Sequence, residues 1–493
     1  MNQLKKLAHD TITYGLSSIV SRLLNYFLVP FYTSVLLPSE YGIITELYAY
    51  LALLNILYTY GMETAYLKFT TVESSEKIFS ITNSILLLTS VIFSSILISI
   101  AHPLVIYLGY PGKEIYIYCM AGILFLDTFC LLPFARLRLL NKAMHFAKLR
   151  CWQIGVNVLL NLLFLYIFPK VSTEYNGYTW QCSNVYSYLS CDHIVYIFLA
   201  NILGNMSVLP WLGVSWKHFT VRLEFQQVKK ILVYGLPLLV MGLAGMINEM
   251  LSRVLLKHIL PSHLYPGQSK EVVLGIFGAC YKLAMFMALA TQAFRYAVEP
   301  FFFKNAVEKH SLSLFSKVMQ GYIFIGCWVW FAISVNLDLL ALIFLRNPAY
   351  RQGINIVPYL TLSYLWLGIY YNLSIWFKVV NKNYYGTIIT IIGATVTVVL
   401  NLYLVPHWGY FGSVLATLCS YISMGVICYY QGQKYYPVPY RVWNGLLMIC
   451  ITAMLIILVD KWTYACAIST VVRNIILTVI YGGIVYKYIR KLA

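Results

Sequence analysis

Ionisable side chains set inside long apolar stretches are the groups of this sequence best able to do chemistry. In the first half they are Arg22, Glu46, Glu63 and Asp127; in the second they are Glu249, Arg253 and Lys282, with Arg295 and Glu299 nearer a span end. A charge at the centre of a bilayer costs about 2.5–3.5 kcal/mol on insertion scales, so such groups face the protein interior or a water-filled cavity. Glu249 and Arg253, four residues apart, share one helix face and can pair with each other or serve a ligand. Arg22 has no acidic partner at that spacing. Glu46, Glu63, Asp127 and Glu249 can exchange protons or bind sodium, which would couple the chain to an H+ or Na+ gradient; they can equally be hydrogen-bonded struts.

No sulfur or phosphate chemistry stands out. None of the eleven cysteines forms a CxxC pair or a Cys/His cluster with metal-ligand spacing, so neither a metal site nor a cofactor is expected. Cys182 and Cys191 share one expected external loop and are a possible disulfide in an oxidising compartment. The sequence has no G-x-x-x-x-G-K-[ST] loop, no H-E-x-x-H and no G-x-S-x-G, so nucleotide hydrolysis and familiar hydrolytic chemistry have no visible machinery, and no catalytic residue is assigned.

The elements that position these charges follow from composition. Hydrophobic residues make up 60% of the 493 and charged residues only 11%, more apolar surface than a water-soluble core absorbs. Apolar stretches of spanning length recur throughout, predicting an all-α membrane protein of about fourteen spans. They fall near 11–37, 41–67, 80–101, 115–139, 147–168, 193–213, 231–258, 271–296, 315–345, 354–377, 384–405, 411–430, 442–459 and 466–486.

A net charge of +18 could suggest nucleic acid, but the Lys and Arg lie between the spans rather than on one face, and no nucleic-acid partner is expected. With the amino terminus inside, 24 of the 35 basic residues fall in cytoplasmic segments and adjoining span ends and 7 in external ones. The positive-inside rule then predicts a multi-pass membrane protein with both termini cytoplasmic.

An internal repeat divides the chain. Asn141-Lys142 is followed by Asn161 in Leu-Leu-Asn-Leu, and Asn381-Lys382 at the same interval by Asn401 in Val-Leu-Asn-Leu. Tyr14-Gly15-Leu16 and Tyr234-Gly235-Leu236 open spans six apart. These matches predict a six-helix lobe at 1–217, a second at 218–436 and two further helices at 437–493. An even repeat relates the lobes by a pseudo-twofold along the membrane normal. Two such lobes can rock and expose a chamber to each side in turn.

The run Tyr26-Phe27-Leu28-Val29-Pro30-Phe31-Tyr32-Thr33, followed by Leu37-Pro38-Ser39-Glu40-Tyr41-Gly42, resembles the opening of bacterial polysaccharide-biosynthesis flippases, the Wzx-type oligosaccharide exporters. These belong to the multidrug/oligosaccharidyl-lipid/polysaccharide exporter superfamily. The resemblance implies translocation of an undecaprenyl-pyrophosphate-linked oligosaccharide from the cytoplasmic to the external leaflet, for surface polysaccharide or lipopolysaccharide biosynthesis. It also implies membrane lipids and other polysaccharide-assembly proteins as partners. An anionic pyrophosphate cannot cross hydrocarbon uncompensated. Arg22, Arg253 and Lys282 are therefore the candidates for holding it, with snorkelling or helix–helix glue as the rival reading of each. The rival functions are a drug or small-cation efflux carrier of the same superfamily, which would want an acidic cavity, and a membrane glycan polymerase or ligase. The longest expected external connection, about two dozen residues without paired carboxylates, argues against the enzyme.

Overall fold

A computed structural model describes residues 26–70, 74–140, 142–167, 192–216, 219–305, 311–380, 382–462 and 467–492. Arg22, Cys182 and Cys191 lie outside them. Among the described residues every regular element is helical and there is no strand. Without water in the hydrocarbon, a spanning segment must satisfy its own backbone, which the α-helix does. Eleven described segments are long and apolar enough to cross a membrane. The longest, Tyr384–Tyr435, is broken at Gly409, whose φ of 56° and ψ of −135° are non-helical. This break lies where two spans, 384–405 and 411–430, were expected to meet. The helices Val357–Leu373 and Ile375–Val379 together cover the span expected at 354–377.

The chain divides into two compact units. The first is built mainly from Val35–Met246. Its core joins Tyr66, Phe79, Ile81, Leu86 and Leu132 from the helices Met62–Phe69, Ser75–Ser99 and Glu114–Leu139. Gly235, in the second Tyr-Gly-Leu motif, lets the helix Phe225–Met246 approach the turn at Tyr60; a Cβ there would sit 2.9 Å from the Tyr60 carbonyl oxygen and 2.7 Å from Met62 Cε.

The second unit comprises Ile247–Ala493 with the short stretch Val29–Ser34. Thr33 fastens that stretch: its Oγ1 donates to the Phe344 carbonyl at 2.7 Å and accepts from the Arg346 amide at 3.2 Å. The last two helices, Val442–Lys461 and Ala467–Leu492, pack on Ser311–Val335 through Phe324, Phe331, Val459, Tyr481 and Val485. Trp328 Nε1 donates to the Thr478 carbonyl at 3.0 Å and Thr452 bonds Tyr481 at 2.7 Å, which fixes their register.

The lysines of the repeated Asn-Lys motif, Lys142 and Lys382, are held alike. The Lys142 amide bonds the Leu137 carbonyl and the Lys382 amide the Phe377 carbonyl, each closing the preceding helix five residues back. In the helix that follows, Asn161 Nδ2 bonds the Asn157 carbonyl (2.8 Å) and Asn401 Nδ2 the Thr397 carbonyl (2.7 Å).

Candidate functional site

Three of the charges singled out from sequence, Glu249, Arg253 and Lys282, come together within the second unit. Glu249 lies in a wide π-helical turn, Ile247–Leu251, that leads into the helix Ser252–Ile259 carrying Arg253. Lys282 is on the helix Lys270–Asn305 and lies within electrostatic reach of both. Arg253 is buried, with its guanidinium 4.3 Å from the centre of the Tyr281 ring. Tyr364 Oη donates to Tyr281 Oη at 3.1 Å. Tyr421 approaches Tyr364 from the second half of the broken helix, and it too feels Arg253 and Glu249.

Of the two readings the four-residue spacing left open, the Glu249–Arg253 ion pair is not made among the described residues. Among the described residues neither Arg253 nor Lys282 forms an ion pair with a carboxylate. Glu249 and Arg253 straddle the junction between the π turn and the α-helix that follows it. Arg253 Nη1 points instead to the Met250 sulfur, and its Nε is buried with no hydrogen-bond partner among the described residues. Two like charges are thus held near one carboxylate and three tyrosines. At their ordinary charges the two cations exceed the one carboxylate by one.

A hydrogen-bonded seam keeps the Arg253 helix in place. Asn248 Oδ1 accepts from Thr397 Oγ1 (3.0 Å) and Ser420 Oγ (3.3 Å), while its Nδ2 donates to the Thr390 carbonyl (3.2 Å). One turn along, Asn401 Nδ2 donates to Ser252 Oγ (3.2 Å), which also meets Thr417 Oγ1 (3.4 Å). All of these residues except Thr390 are buried, so the seam is shielded from competing solvent.

Asp127 centres a separate polar network in the first unit. Its carboxylate accepts from Asn205 Nδ2 at 2.7 Å and from Asn55 Nδ2 at 3.3 Å. Gln153 bonds Asn205 in turn, and Arg150 Nη1 donates to Gln153 Oε1 at 3.0 Å. The Arg150 guanidinium also lies 4.0 Å from the centre of the Phe134 ring. Arg150 thus joins the chain of amides that leads to Asp127. Asn55, Gln153 and Asn205 were passed over as neutral, although large amides within apolar stretches were the available signal.

Glu46 and Glu63 have partners of their own. Glu46, fully buried, accepts from Tyr110 Oη at 2.5 Å. Glu63, partly exposed, forms an ion pair with Arg138 at the start of the short helix Met62–Phe69. Arg295, with Lys378 and Asn372, lines a small cavity and lies 4.6 Å from the Tyr371 ring centre.

Comparison with known proteins follows the same lines. The sequence profile of the family described as polysaccharide biosynthesis protein matches residues 7–306. A search of curated protein sequences finds no significant match. Among solved structures, the lipid II flippase MurJ in an inward closed conformation aligns over 97% of this chain and 99% of its own at 12% identity, with a TM-score of 0.70. An inward-facing multidrug resistance MATE family transporter of the MOP superfamily aligns over 86% and 94% at 12% identity, TM-score 0.63. A MOP superfamily transporter from Pyrococcus furiosus, described as having a binding pocket of reverse polarity, aligns over 86% and 95% at 12% identity, TM-score 0.60. At such identities the likeness shows the fold alone: that of the multidrug/oligosaccharidyl-lipid/polysaccharide transporters.

Proposed function

We propose, from the premise that this chain belongs to the polysaccharide biosynthesis protein family, that it flips a lipid-linked oligosaccharide across the bacterial inner membrane by alternating access. The substrate we assign is an undecaprenyl-pyrophosphate-linked unit moving from the cytoplasmic to the external leaflet, with both termini of the chain cytoplasmic. The observation that carries this reading is the positive group in the second unit. Arg253 and Lys282 stand near one carboxylate without an ion pair among the described residues, so a diphosphate would relieve their mutual repulsion.

Arg253 supplies a planar fork suited to two phosphate oxygens, and Lys282 a mobile point charge. Arg22 is proposed as a third cation on the strength of its sequence position alone. The Tyr281, Tyr364 and Tyr421 hydroxyls offer further donors around the headgroup. Asp127 and Glu249 are the carboxylates we propose for coupling to an H+ or Na+ gradient, since both lie within the membrane spans. The fold is one that a lipid II flippase also uses.

A second reading, efflux of small organic cations, is favoured by one observation: Glu249 lies among tyrosines that could surround a cation. Proteoliposomes separate the two. Protein-dependent movement of a fluorescent lipid-linked oligosaccharide between leaflets, without protein-dependent efflux of a fluorescent organic cation, is the expected result. The reverse outcome assigns the chain to cation efflux.

A further inference from the structure

An apolar groove of about 280 Å³ runs along the second unit, away from the charged group described above. It is walled by four helices: Ser311–Val335, Val357–Leu373, the second half of Tyr384–Tyr435, and Val442–Lys461. Ile323, Ile369, Leu373 and Leu446 make its floor. Val426 and Tyr430 on its rim are exposed, so it opens towards the bilayer. A groove lined this way along membrane-spanning helices takes a hydrocarbon chain.

Two polar groups break its apolar lining. Arg441, exposed, precedes the helix Val442–Lys461 at one end. Gln320, only 5% exposed, also lines the groove, and its Nε2 is buried with no hydrogen-bond partner among the described residues. A buried amide donor without an acceptor is costly, so it marks a place where a ligand oxygen belongs. The spacing of the two is informative. Ser316 Oγ donates to the Pro439 carbonyl at 2.6 Å, which sets the level of Arg441 against that helix. Gln320 stands one helical turn beyond Ser316, about 5–6 Å deeper.

We propose that this groove is a binding site for a glycerophospholipid of the surrounding bilayer, distinct from the transported substrate. Its phosphate meets Arg441, one ester carbonyl one turn deeper accepts from Gln320 Nε2, and the acyl chain of that ester lies along the groove. A polyprenyl phosphate has no ester at that depth and would leave Gln320 unsatisfied. The proposal does not rest on which substrate the chain transports.

The test is native mass spectrometry of the full chain, delipidated in detergent and titrated with phosphatidylglycerol, its ether-linked analogue, and a polyprenyl phosphate. One saturable phosphatidylglycerol per chain is expected, favoured over the ether lipid about fivefold, the worth of one hydrogen bond. Gln320→Leu should abolish the ester preference, Arg441→Gln should weaken both lipids about tenfold, and Val426→Trp, which fills the groove, should remove the adduct. Equal binding of ester and ether lipids by the unaltered protein, tighter binding of the polyprenyl phosphate, an adduct that survives Val426→Trp, or no saturable adduct overturns the proposal. Because the ester and ether comparison needs no substitution, it stands even if a variant folds poorly.

Discussion

The guanidinium of Arg253 lies 4.3 Å from the centre of the Tyr281 ring, although a carboxylate, Glu249, is only four residues away in sequence. The aromatic face holds the cation in place without neutralising it, since a ring quadrupole attracts a charge but does not cancel it. The arrangement therefore leaves Arg253 buried against an aromatic face rather than against a carboxylate. The neighbouring Lys282 adds to the local potential.

Arg253→Ala should lower the rate of lipid-linked oligosaccharide flipping by about ten- to a hundredfold, the worth of a charge-assisted hydrogen bond in a buried site. Arg253→Lys should recover part of this, since it restores the charge but not the two-pronged fork. Proteoliposome flipping assays, normalised to inserted protein, measure both. Wild-type rates in Arg253→Ala and Lys282→Ala alike would remove these residues from the site.

The Asp127 network makes a prediction about stability. Asn205→Leu deletes the stronger of the two hydrogen bonds shown for the carboxylate and strands the Gln153 amide, so it should destabilise the protein by about 1.5–3 kcal/mol. Paired with Asp127→Asn, the double variant should show a coupling of about 0.5–3 kcal/mol rather than additive losses. Denaturation of detergent-solubilised protein, followed through the four variants of the cycle, provides the numbers. Additivity within error would mean that the two side chains act independently.

Much of this architecture was legible in the sequence because the bilayer imposes a length. Spans such as 115–139 and 442–459 coincide closely with the helices Glu114–Leu139 and Val442–Lys461, since only a stretch of about twenty apolar residues can cross. The site was legible in its residue types but not in its pairing. A π turn such as Ile247–Leu251 leaves no composition signature, and four-residue spacing alone does not decide whether Glu249 and Arg253 pair. The seam through Asn248, Ser252, Thr397, Asn401, Thr417 and Ser420 was invisible for another reason. Ser and Thr commonly bond their own helix's carbonyls, as Thr417 does with Ser413, and nothing local distinguishes those that also bond across helices.

Gly409 divides the longest helix, and its backbone lies in a region essentially restricted to glycine. A Cβ there would also run into the Tyr265 ring, whose Oη accepts from the Tyr410 amide at 3.3 Å. Gly409→Ala should cost about 1–3 kcal/mol from backbone strain alone. Tyr265→Ala in the same chain should relieve the clash but not the strain, so rescue should be partial. Thermal unfolding of the single and double variants decides it; full rescue would show that the conformation at 409 is unstrained.

The Tyr-Gly-Leu motif at 234–236 offers a sharper case, because the two obstacles facing Gly235 differ in kind. Met62 Cε is the tip of a flexible side chain and can move aside, whereas the Tyr60 carbonyl oxygen is backbone, fixed in the turn ahead of the helix Met62–Phe69. Overpacking of a buried contact costs about 1–3 kcal/mol. Gly235→Ala should therefore be destabilising by that amount, and shortening Met62 to Ala should recover little of it, since the backbone contact remains. The measurement is the unfolding midpoint of Gly235→Ala with and without Met62→Ala, corrected for the loss that Met62→Ala causes alone. Complete recovery would mean that the methionine, not the backbone at Tyr60, sets the distance between these helices, and that the glycine of the motif is required by side-chain packing only.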